Sequence, residues 1–222
     1  MTATAVTPAP AGSAPTPAGS PPAAPRRDGD LRTAILDAAR QLLVREGYRD
    51  LSMRDVSRAV GCSVSSIYLY FASKDALVHA LMDEGFARWH RRMLELAEEG
   101  EGTPAAARLE AVCRAYVAFG LANPEFYEIM YMFHSDRMAR YPKELFRRAR
   151  RNLDLMGALV AECRAALGGD GGPDEVAVAT AALWSALHGT VSTIIADRLD
   201  RRLDRGRVVD GAVRFALAGV LA

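Results

Sequence analysis

Residues 51–75 constrain the fold of this chain more than any other segment. Two short apolar stretches flank Gly61, and Ser52, Ser63 and Ser73 stand where three successive helices would begin. A serine oxygen at such a position accepts a backbone amide that the helix leaves unpaired. Two short helices around a glycine turn form a helix-turn-helix, whose second helix enters the major groove of DNA. The segment therefore predicts a DNA-binding head.

The rest of the chain carries a helical pattern, and no alternating strand pattern appears from Leu31 onward. Asp30 can cap the first helix and Gly47 can end it, while prolines open several of the later helices. The nine predicted helices cover residues 31–46, 53–60, 64–71, 74–98, 104–121, 124–133, 142–167, 173–196 and 207–221. The predicted fold class is therefore all-α, with a three-helix head and a six-helix body.

Composition sets the expected compartment. The 28 basic and 27 acidic side chains leave a net charge of +1, which does not argue against DNA because a nucleic-acid surface needs only a local basic face. Cys62, Cys113 and Cys163 show no metal-ligand or disulfide spacing, which favours a reducing cytoplasm. No apolar run approaches the roughly 20 residues that span a bilayer. We therefore expect a cytoplasmic protein without metal, cofactor or membrane contact.

The third predicted helix carries the candidate DNA-reading residues. Ile67 and Phe71 lie four residues apart and should anchor this helix to the head core, leaving hydroxyls and rings to face a groove. Lys74 opens the next helix, where a cation opposes the helix dipole unless a phosphate binds there. The candidates are Ser52, Arg54, Val64, Ser65, Ser66, Tyr68, Tyr70 and Lys74. The alternatives are that Tyr68 is a half-buried core ring and that Lys74 is simply solvated.

These residues resemble the amino-terminal domain of TetR-type transcriptional repressors over roughly residues 31–81. The matching motifs are Gly47-Tyr48, Leu51-Ser-Met-Arg-Asp-Val56, Gly61-Cys-Ser63, Ser66-Ile-Tyr-Leu-Tyr-Phe71 and Ser73-Lys-Asp-Ala-Leu77. The resemblance implies a homodimer of helical subunits, with DNA contacts at the candidate positions from Arg54 to Lys74. Tyr70 stands where the family often has histidine, and Val64 where a polar residue is common, so base preference does not transfer.

The body resembles a TetR subgroup with a Trp…His-Gly motif, here Trp184 to Gly189. Composition predicts a disordered Ala/Pro-rich tail (1–29), and the family resemblance divides the rest into a helix-turn-helix domain (30–76) and a ligand-binding and dimerisation domain (77–222). The eighth helix is apolar on two sides, in one stripe through Leu183 and Leu187 and a second through Trp184 and His188, so it needs two covers. We expect its partner to be a second subunit, joined through residues 173–196 and 207–221. The alternative is a monomer with a central eighth helix.

Aromatic and methionine side chains suggest a pocket for an apolar effector. The candidate lining residues are Phe86, Trp89, Met93, Tyr127, Met130, Tyr131, Phe146, Met156, Trp184 and His188. Each of them taken singly is also an ordinary core residue, and His188 fits a hydrogen-bonded core position.

No nucleophile elbow, metal-binding helix or phosphate loop supports an enzyme. The sequence therefore predicts a ligand-responsive repressor that binds a near-palindromic operator as a homodimer. Two alternatives remain open. One is an activator or constitutive regulator without a working pocket, and the other is a helical protein-interaction module that does not bind DNA.

Overall fold

The structure is a computed structural model that describes residues 28–132, 140–168 and 172–221. All regular elements in these ranges are helices, so the predicted all-α class is confirmed. They are α1 (Asp28–Asp50), α2 (Met53–Val60), α3 (Val64–Tyr68), α4 (Lys74–Glu99), α5 (Ala105–Ala122), α6 (Pro124–Tyr127) continued by a π-helical turn (Glu128–Met132), α7 (Lys143–Ala166), α8 (Pro173–Ile195) and α9 (Arg205–Leu221). The predicted tail was residues 1–29, of which residues 1–27 lie outside these ranges, while residues 28 and 29 belong to α1 because the helix begins earlier than predicted. The predicted helix end at Phe133 also lies outside these ranges.

The three predicted serine caps of the head are confirmed. The Oγ atoms of Ser52, Ser63 and Ser73 accept the backbone amides three residues later, at 3.2, 3.0 and 3.1 Å. Each bond satisfies one donor that the first helical turn leaves free. Gly61 ends α2 in the left-handed region, with φ 75° and ψ 31°, a conformation that costs glycine little. Local sequence thus sets the helix-turn-helix.

Several helix boundaries differ from the predicted ones. Helix α1 starts at Asp28, so Asp30 lies in its first turn, and it resumes for one turn beyond the non-helical Gly47. Helix α9 starts at Arg205 because the Asp204 carboxylate accepts the amide of Arg207 at 2.9 Å and caps the helix earlier than predicted. The predicted continuous sixth helix is instead one α-helical turn followed by a π-helical turn.

Two apolar clusters form the interior. The head cluster joins α1 to α3 and the start of α4 around Ile35, Ile67 and Leu81. The body cluster joins α4 to α9 around Trp89, Tyr116 and other buried side chains. The π-helical turn belongs to the body by sequence, but its Ile129 is 1% exposed and packs in the head cluster. This side chain therefore bridges the two parts of the protein.

Helix α8 corrects one expectation from the sequence. It is long and apolar enough to cross a bilayer by length and composition, although no apolar run of that length was expected. In the structure, α8 packs on α5, α7 and α9 through one buried stripe, formed by Thr180, Leu183, Leu187, Val191 and Ile194. A core helix of a helical bundle passes the same test of length and composition, so this property does not by itself indicate a membrane protein.

Candidate DNA-binding surface and effector cavity

Helix α3 presents a polar and aromatic face away from the head core. Ile67 is fully buried and Phe71 is 4% exposed, as the four-residue spacing predicts. On the opposite side, Tyr68 is 52% exposed and Leu69 is 85% exposed. Because two large side chains stand out at the end of α3, from its last residue and from its C-cap Leu69, the helix has a protruding surface that can enter a groove.

The other candidates on α2 and α3 take different positions. Arg54 and Ser65 are exposed, while Val64 and Tyr70 are half-buried and pack against the head cluster. Two further hydroxyls belong to the caps: Ser52 bonds Asp55, and Ser66 lies 2.8 Å from the Ser63 oxygen. The hydrogen bond from Ser52, followed by that from Arg58, holds the pKa of Asp55 below its usual range. The candidates thus divide into exposed side chains and side chains that hold the helices.

Lys74 ties the start of α4 to the end of α1. Its Nζ donates to the Tyr48 carbonyl oxygen at 2.8 Å and lies 4.1 Å from the centre of the Tyr48 ring. The Tyr48 hydroxyl in turn donates to Asp75, and burial raises the pKa of Tyr48 to about 12, so it stays protonated. An ammonium group has three hydrogens, and the bond to Tyr48 occupies one of them. The position of Lys74 is therefore fixed without exhausting its capacity to bind phosphate.

Leu69 is the residue of this surface that the sequence analysis missed. Its side chain is the most exposed large apolar one among the described residues, and it lies between Tyr68 and Tyr70, which are both predicted DNA contacts. The spacing of the sequence indicates its exposure, because Leu69 is two residues from both Ile67 and Phe71 and cannot share their buried face. An exposed leucine beside Tyr68 is suited to contact with thymine methyl groups.

A cavity of about 210 Å³ lies within the body, lined by α4, α5, the π-helical turn, α7 and α8. Six of the ten predicted pocket residues line it, namely Phe86, Trp89, Tyr131, Phe146, Met156 and Trp184. The residues that the sequence analysis missed are Tyr116, Ala149, Arg150, Asn152 and Leu153. Four of these five lie on α7, whose register against α4 is set by tertiary packing, so sequence spacing gave no signal for them.

The other four predicted pocket residues do not line this cavity. Met93 lines a separate cavity of about 170 Å³ further along α4 and α7. Met130 packs against Gly85 so closely that a Cβ atom there would lie 2.4 Å from its sulfur. Tyr127 and His188 pack behind the lining rings, where they contact Tyr131. These four side chains support the cavity wall or the core.

A buried hydrogen-bond chain runs behind the cavity. The Tyr127 hydroxyl lies 3.0 Å from the Tyr116 hydroxyl and 2.6 Å from Nδ1 of His188. Burial raises the pKa of Tyr127 to about 12 and lowers the pKa of His188 below its ordinary value. The imidazole is therefore neutral at neutral pH, with one ring nitrogen carrying a hydrogen and the other acting as an acceptor. His188 also stacks on Trp184 at 4.9 Å, so the chain fixes the orientation of a lining ring.

Helices α8 and α9 pack side by side and leave a shared face uncovered. Trp184 and His188, which lie on the second apolar stripe of α8, pack against their own body. The uncovered face is made mostly of small side chains, with Phe215 at 79% exposure as its largest member. On α8 it comprises Val178, Ala181, Ala182, Ser185, Gly189 and Thr193, and on α9 it comprises Phe215, Ala218 and Gly219.

Residues 28–132, 140–168 and 172–221 contain no group of three or more His, Cys, Asp or Glu side chains placed to hold a metal ion. The buried thiols of Cys113 and Cys163 have pKa values raised chiefly by burial. They are therefore protonated and unreactive at neutral pH.

Comparison with known proteins assigns the family. Residues 35–81 match the profile "Bacterial regulatory proteins, tetR family", and residues 109–216 match "Tetracyclin repressor-like, C-terminal domain". The chain is 36% identical over 91 residues to an uncharacterized HTH-type transcriptional regulator of Xanthobacter autotrophicus, covering 41% of this chain and 45% of that protein. It is 30% identical over 73 residues to the HTH-type transcriptional repressor NemR of Escherichia coli, covering 33% and 37%. The matches thus span less than half the length of these curated relatives.

Solved structures extend the similarity to the whole body. A protein of unknown function from Rhodococcus sp. RHA1 is 28% identical with a TM-score of 0.72, covering 89% of this chain and 99% of its own. FadR from Bacillus subtilis, solved in complex with stearoyl-CoA, is 19% identical with a TM-score of 0.67, covering 84% and 98%, and shows the shared fold. With the helix-turn-helix head, the all-helical body and both profile matches in agreement, the chain belongs to the TetR family of transcriptional regulators.

Proposed function

We propose that this protein is a cytoplasmic, homodimeric repressor that binds a near-palindromic operator and leaves it when a small, largely apolar molecule occupies the body cavity. In this proposal the protein is a binding protein and not an enzyme. The division into a head (30–76) and a body (77–222) is part of the proposal. NemR, a relative named as a repressor, supports this direction of regulation.

The single observation that carries the proposal is the protruding face of α3. Its buried side is held by Ile67 and its start by the Ser63 cap, so the exposed Tyr68 and Leu69 are rigidly presented. A rigid helix that offers a hydroxyl and a methyl-rich side chain can read base edges, while Arg54 and Lys74 contact phosphates on either side.

The uncovered face of α8 and α9 supports dimerisation. Only 28% of the most apolar segment of α8 is buried within one chain. Stable soluble proteins rarely leave a large continuous apolar face exposed to water. Small residues let helices approach closely, and Phe215 supplies a large apolar contact. Two copies related by a twofold axis would place their α3 helices in successive major grooves, about 34–36 Å apart.

The cavity communicates with the head through the segment 124–132. Tyr131 lines the cavity, while Ile129, two residues earlier, packs in the head cluster. Glu125 at the start of the same segment forms an ion pair with Arg40 of α1. Phe126 is held between two guanidinium groups, at 5.1 Å from Arg40 and 4.4 Å from Arg88. A ligand that displaces Tyr131 therefore acts on the side chains that orient the head.

The proposed mechanism is a shift between two populations. A ligand that binds better to a body conformation with misplaced heads favours that conformation by its difference in affinity. By linkage, operator DNA weakens ligand binding by the same factor. Helix α4 joins head and body directly, and the α6 segment adds a second connection.

Gel-shift titration with the DNA upstream of the protein's own gene tests the DNA-binding part. Tyr68→Ala should weaken binding and alter sequence preference, because base contacts carry specificity. Lys74→Ala should weaken binding to all operator sequences alike and reduce the salt slope by about one. Lys143→Ala is the matched control, since Lys143 also opens a helix but lies in the body. Unchanged affinity of both head variants would overturn the proposal.

A reporter strain tests the direction of regulation. Deleting the gene should raise expression from the target promoter if the protein represses. Lost expression would contradict repression and identify an activator.

A further inference from the structure

The size of the body cavity limits what it can hold. Its volume of about 210 Å³ lies below the range of about 300–1,000 Å³ for pockets that hold drug-sized ligands. Its deepest walls are the almost fully buried side chains of Trp89, Tyr116 and Met156. The cavity therefore fits a compact ligand in preference to a long flexible one.

Aromatic rings form most of its lining. Phe86 and Tyr131 meet edge to face at 5.5 Å, and Trp89 meets Tyr116 in the same way at 5.5 Å. Trp184 lies 5.8 Å from Tyr131. The rings thus offer both faces and edges, and aromatic rings attract one another at centroid distances of about 4.5–7 Å. This arrangement favours a planar aromatic guest.

An aromatic lining alone also attracts cations, so the charged groups around the cavity decide whether a cation or another aromatic ligand is favoured. Among the described residues that line the cavity, none is Asp or Glu, and Arg150 carries the charge. Its side chain is 62% exposed, and its Nε lies 3.7 Å from the Asp154 carboxylate. That separation is beyond hydrogen-bond length, so the contact does not commit the guanidinium donors. Arg150 is therefore the charged group of the lining, and the Asp154 carboxylate outside the cavity offsets part of its charge without occupying its hydrogen-bond donors.

The phenols of the lining do not offset this charge. Burial raises the pKa of both Tyr116 and Tyr131 above the ordinary value, so neither supplies a phenolate at neutral pH. Asn152 adds a polar group inside the cavity. Its Nδ2 donates to the Phe86 carbonyl at 3.2 Å and its Oδ1 lies 2.9 Å from Nδ1 of His90. An amide nitrogen carries two hydrogens, so Asn152 retains a donor for an acceptor on the ligand.

We propose that the effector is a compact aromatic acid, with its ring among the aromatic side chains of the cavity and its carboxylate at Arg150. This inference rests on the proposed function for the role of the cavity, and it adds the chemical class of the ligand. Phe146 lies one helical turn before Arg150 and is also exposed at the mouth. The two side chains would cover the ring and bind the acid of the same ligand.

The chain's two tryptophans, Trp89 and Trp184, both line the cavity, so their fluorescence reports its occupancy. The full-length protein is titrated with 3-phenylpropanoate, 3-phenylpropanamide and 3-phenylpropylammonium, which share one body and differ in charge. We expect the acid to bind about fivefold more tightly than the amide, and the ammonium compound to bind least. The aliphatic analogue 3-cyclohexylpropanoate should bind more weakly than the phenyl acid.

Arg150→Gln should remove the preference for the acid over the amide while leaving the affinity for the amide unchanged. Arg151→Gln is the matched control, because Arg151 is the exposed neighbour on α7 and does not line the cavity. Tightest binding of the ammonium compound, equal binding of acid and amide, or no fluorescence change with any probe would overturn the aromatic-acid class. Release of promoter DNA by the bound acid is measured separately. Binding without release would keep the ligand class and refute the effector role.

Discussion

Gly47 and Gly61 both have positive φ angles, but they should respond differently to substitution. Gly61 has φ 75° and ψ 31°, in the left-handed helical region. Gly47 has φ 79° and ψ 171°, a region that is essentially restricted to glycine. No atom lies within 4 Å of a Cβ built on Gly47, so the cost of a side chain there comes from the backbone alone.

The expected magnitudes follow from these angles. Alanine in the left-handed region costs about 1–2 kcal/mol, and the region of Gly47 costs up to about 3 kcal/mol. Alanine also lowers the conformational entropy of the unfolded chain at both sites, which offsets the destabilisation by about 0.4–1 kcal/mol. Gly47→Ala should therefore be about 1 kcal/mol more destabilising than Gly61→Ala, which corresponds to about 2–4 °C in Tm for a chain of this size.

Asparagine sharpens the comparison because it tolerates the left-handed region. Gly61→Asn should recover part of the stability lost in Gly61→Ala, whereas Gly47→Asn should not. Thermal unfolding followed by circular dichroism, at one protein concentration, measures all four variants. A larger loss for Gly61→Ala than for Gly47→Ala, or equal recovery by asparagine at both sites, would refute the reasoning.

Gly47 also precedes Tyr48, whose carbonyl oxygen binds Lys74. A changed backbone at Gly47 should therefore weaken operator binding as well as stability. Gly102→Ala is the control, since Gly102 has φ 79° in the loop after α4, with no atom within 4 Å of its Cβ position. This variant should lose stability but keep its DNA affinity, and a loss of affinity equal to that of Gly47→Ala would contradict the local explanation.

Three further predictions concern the body. Ile129→Val and Ile35→Val each remove one methylene from the head cluster and should each cost about 0.5–1.5 kcal/mol of stability. Only Ile129→Val should reduce ligand-induced DNA release in anisotropy measurements, and an equal reduction by both variants would contradict the role of Ile129 as a bridge between head and body. Burial lowers the pKa of His188 below the ordinary 6.5, so as pH falls the unfolded chain takes up this proton before the folded one does, and stability should decrease below about pH 6.5. In urea unfolding, the free energy of unfolding of His188→Gln should decrease less steeply with falling pH. The same pH dependence in both proteins would refute this prediction. Phe215→Glu should raise the dimer dissociation constant about tenfold or more in sedimentation measurements. Leu203→Glu is the control, because Leu203 is exposed in a loop, and it should leave the dissociation constant unchanged. An equal rise in both variants would argue against the α8–α9 interface.

The parts of the fold that depend on short-range chemistry were predictable from the sequence. A serine oxygen reaches an amide three residues away, so the caps at Ser52, Ser63 and Ser73 follow from local spacing. The burial of Ile67 and Phe71 follows from helical periodicity in the same way.

The parts that depend on packing between distant helices were not predictable. The sequence predicts one continuous helix over residues 124–133, but the π-helical turn places Ile129 in the head cluster. Asn152 and Tyr116 line the cavity because α5 and α7, which the α6 segment separates in sequence, pack against each other. Hydrophobic periodicity identifies a buried face, but it does not identify the helix that this face contacts.

The central claim is that the exposed face of α3 contacts operator bases. A photoreactive phenylalanine analogue at position 68 tests it most directly, with the same analogue at position 215 as a control. The account predicts that the probe replacing Tyr68 cross-links to operator DNA, and that the probe replacing Phe215 cross-links to a second copy of the chain. Absence of DNA cross-links from position 68, in a protein that still binds the operator, would contradict the account.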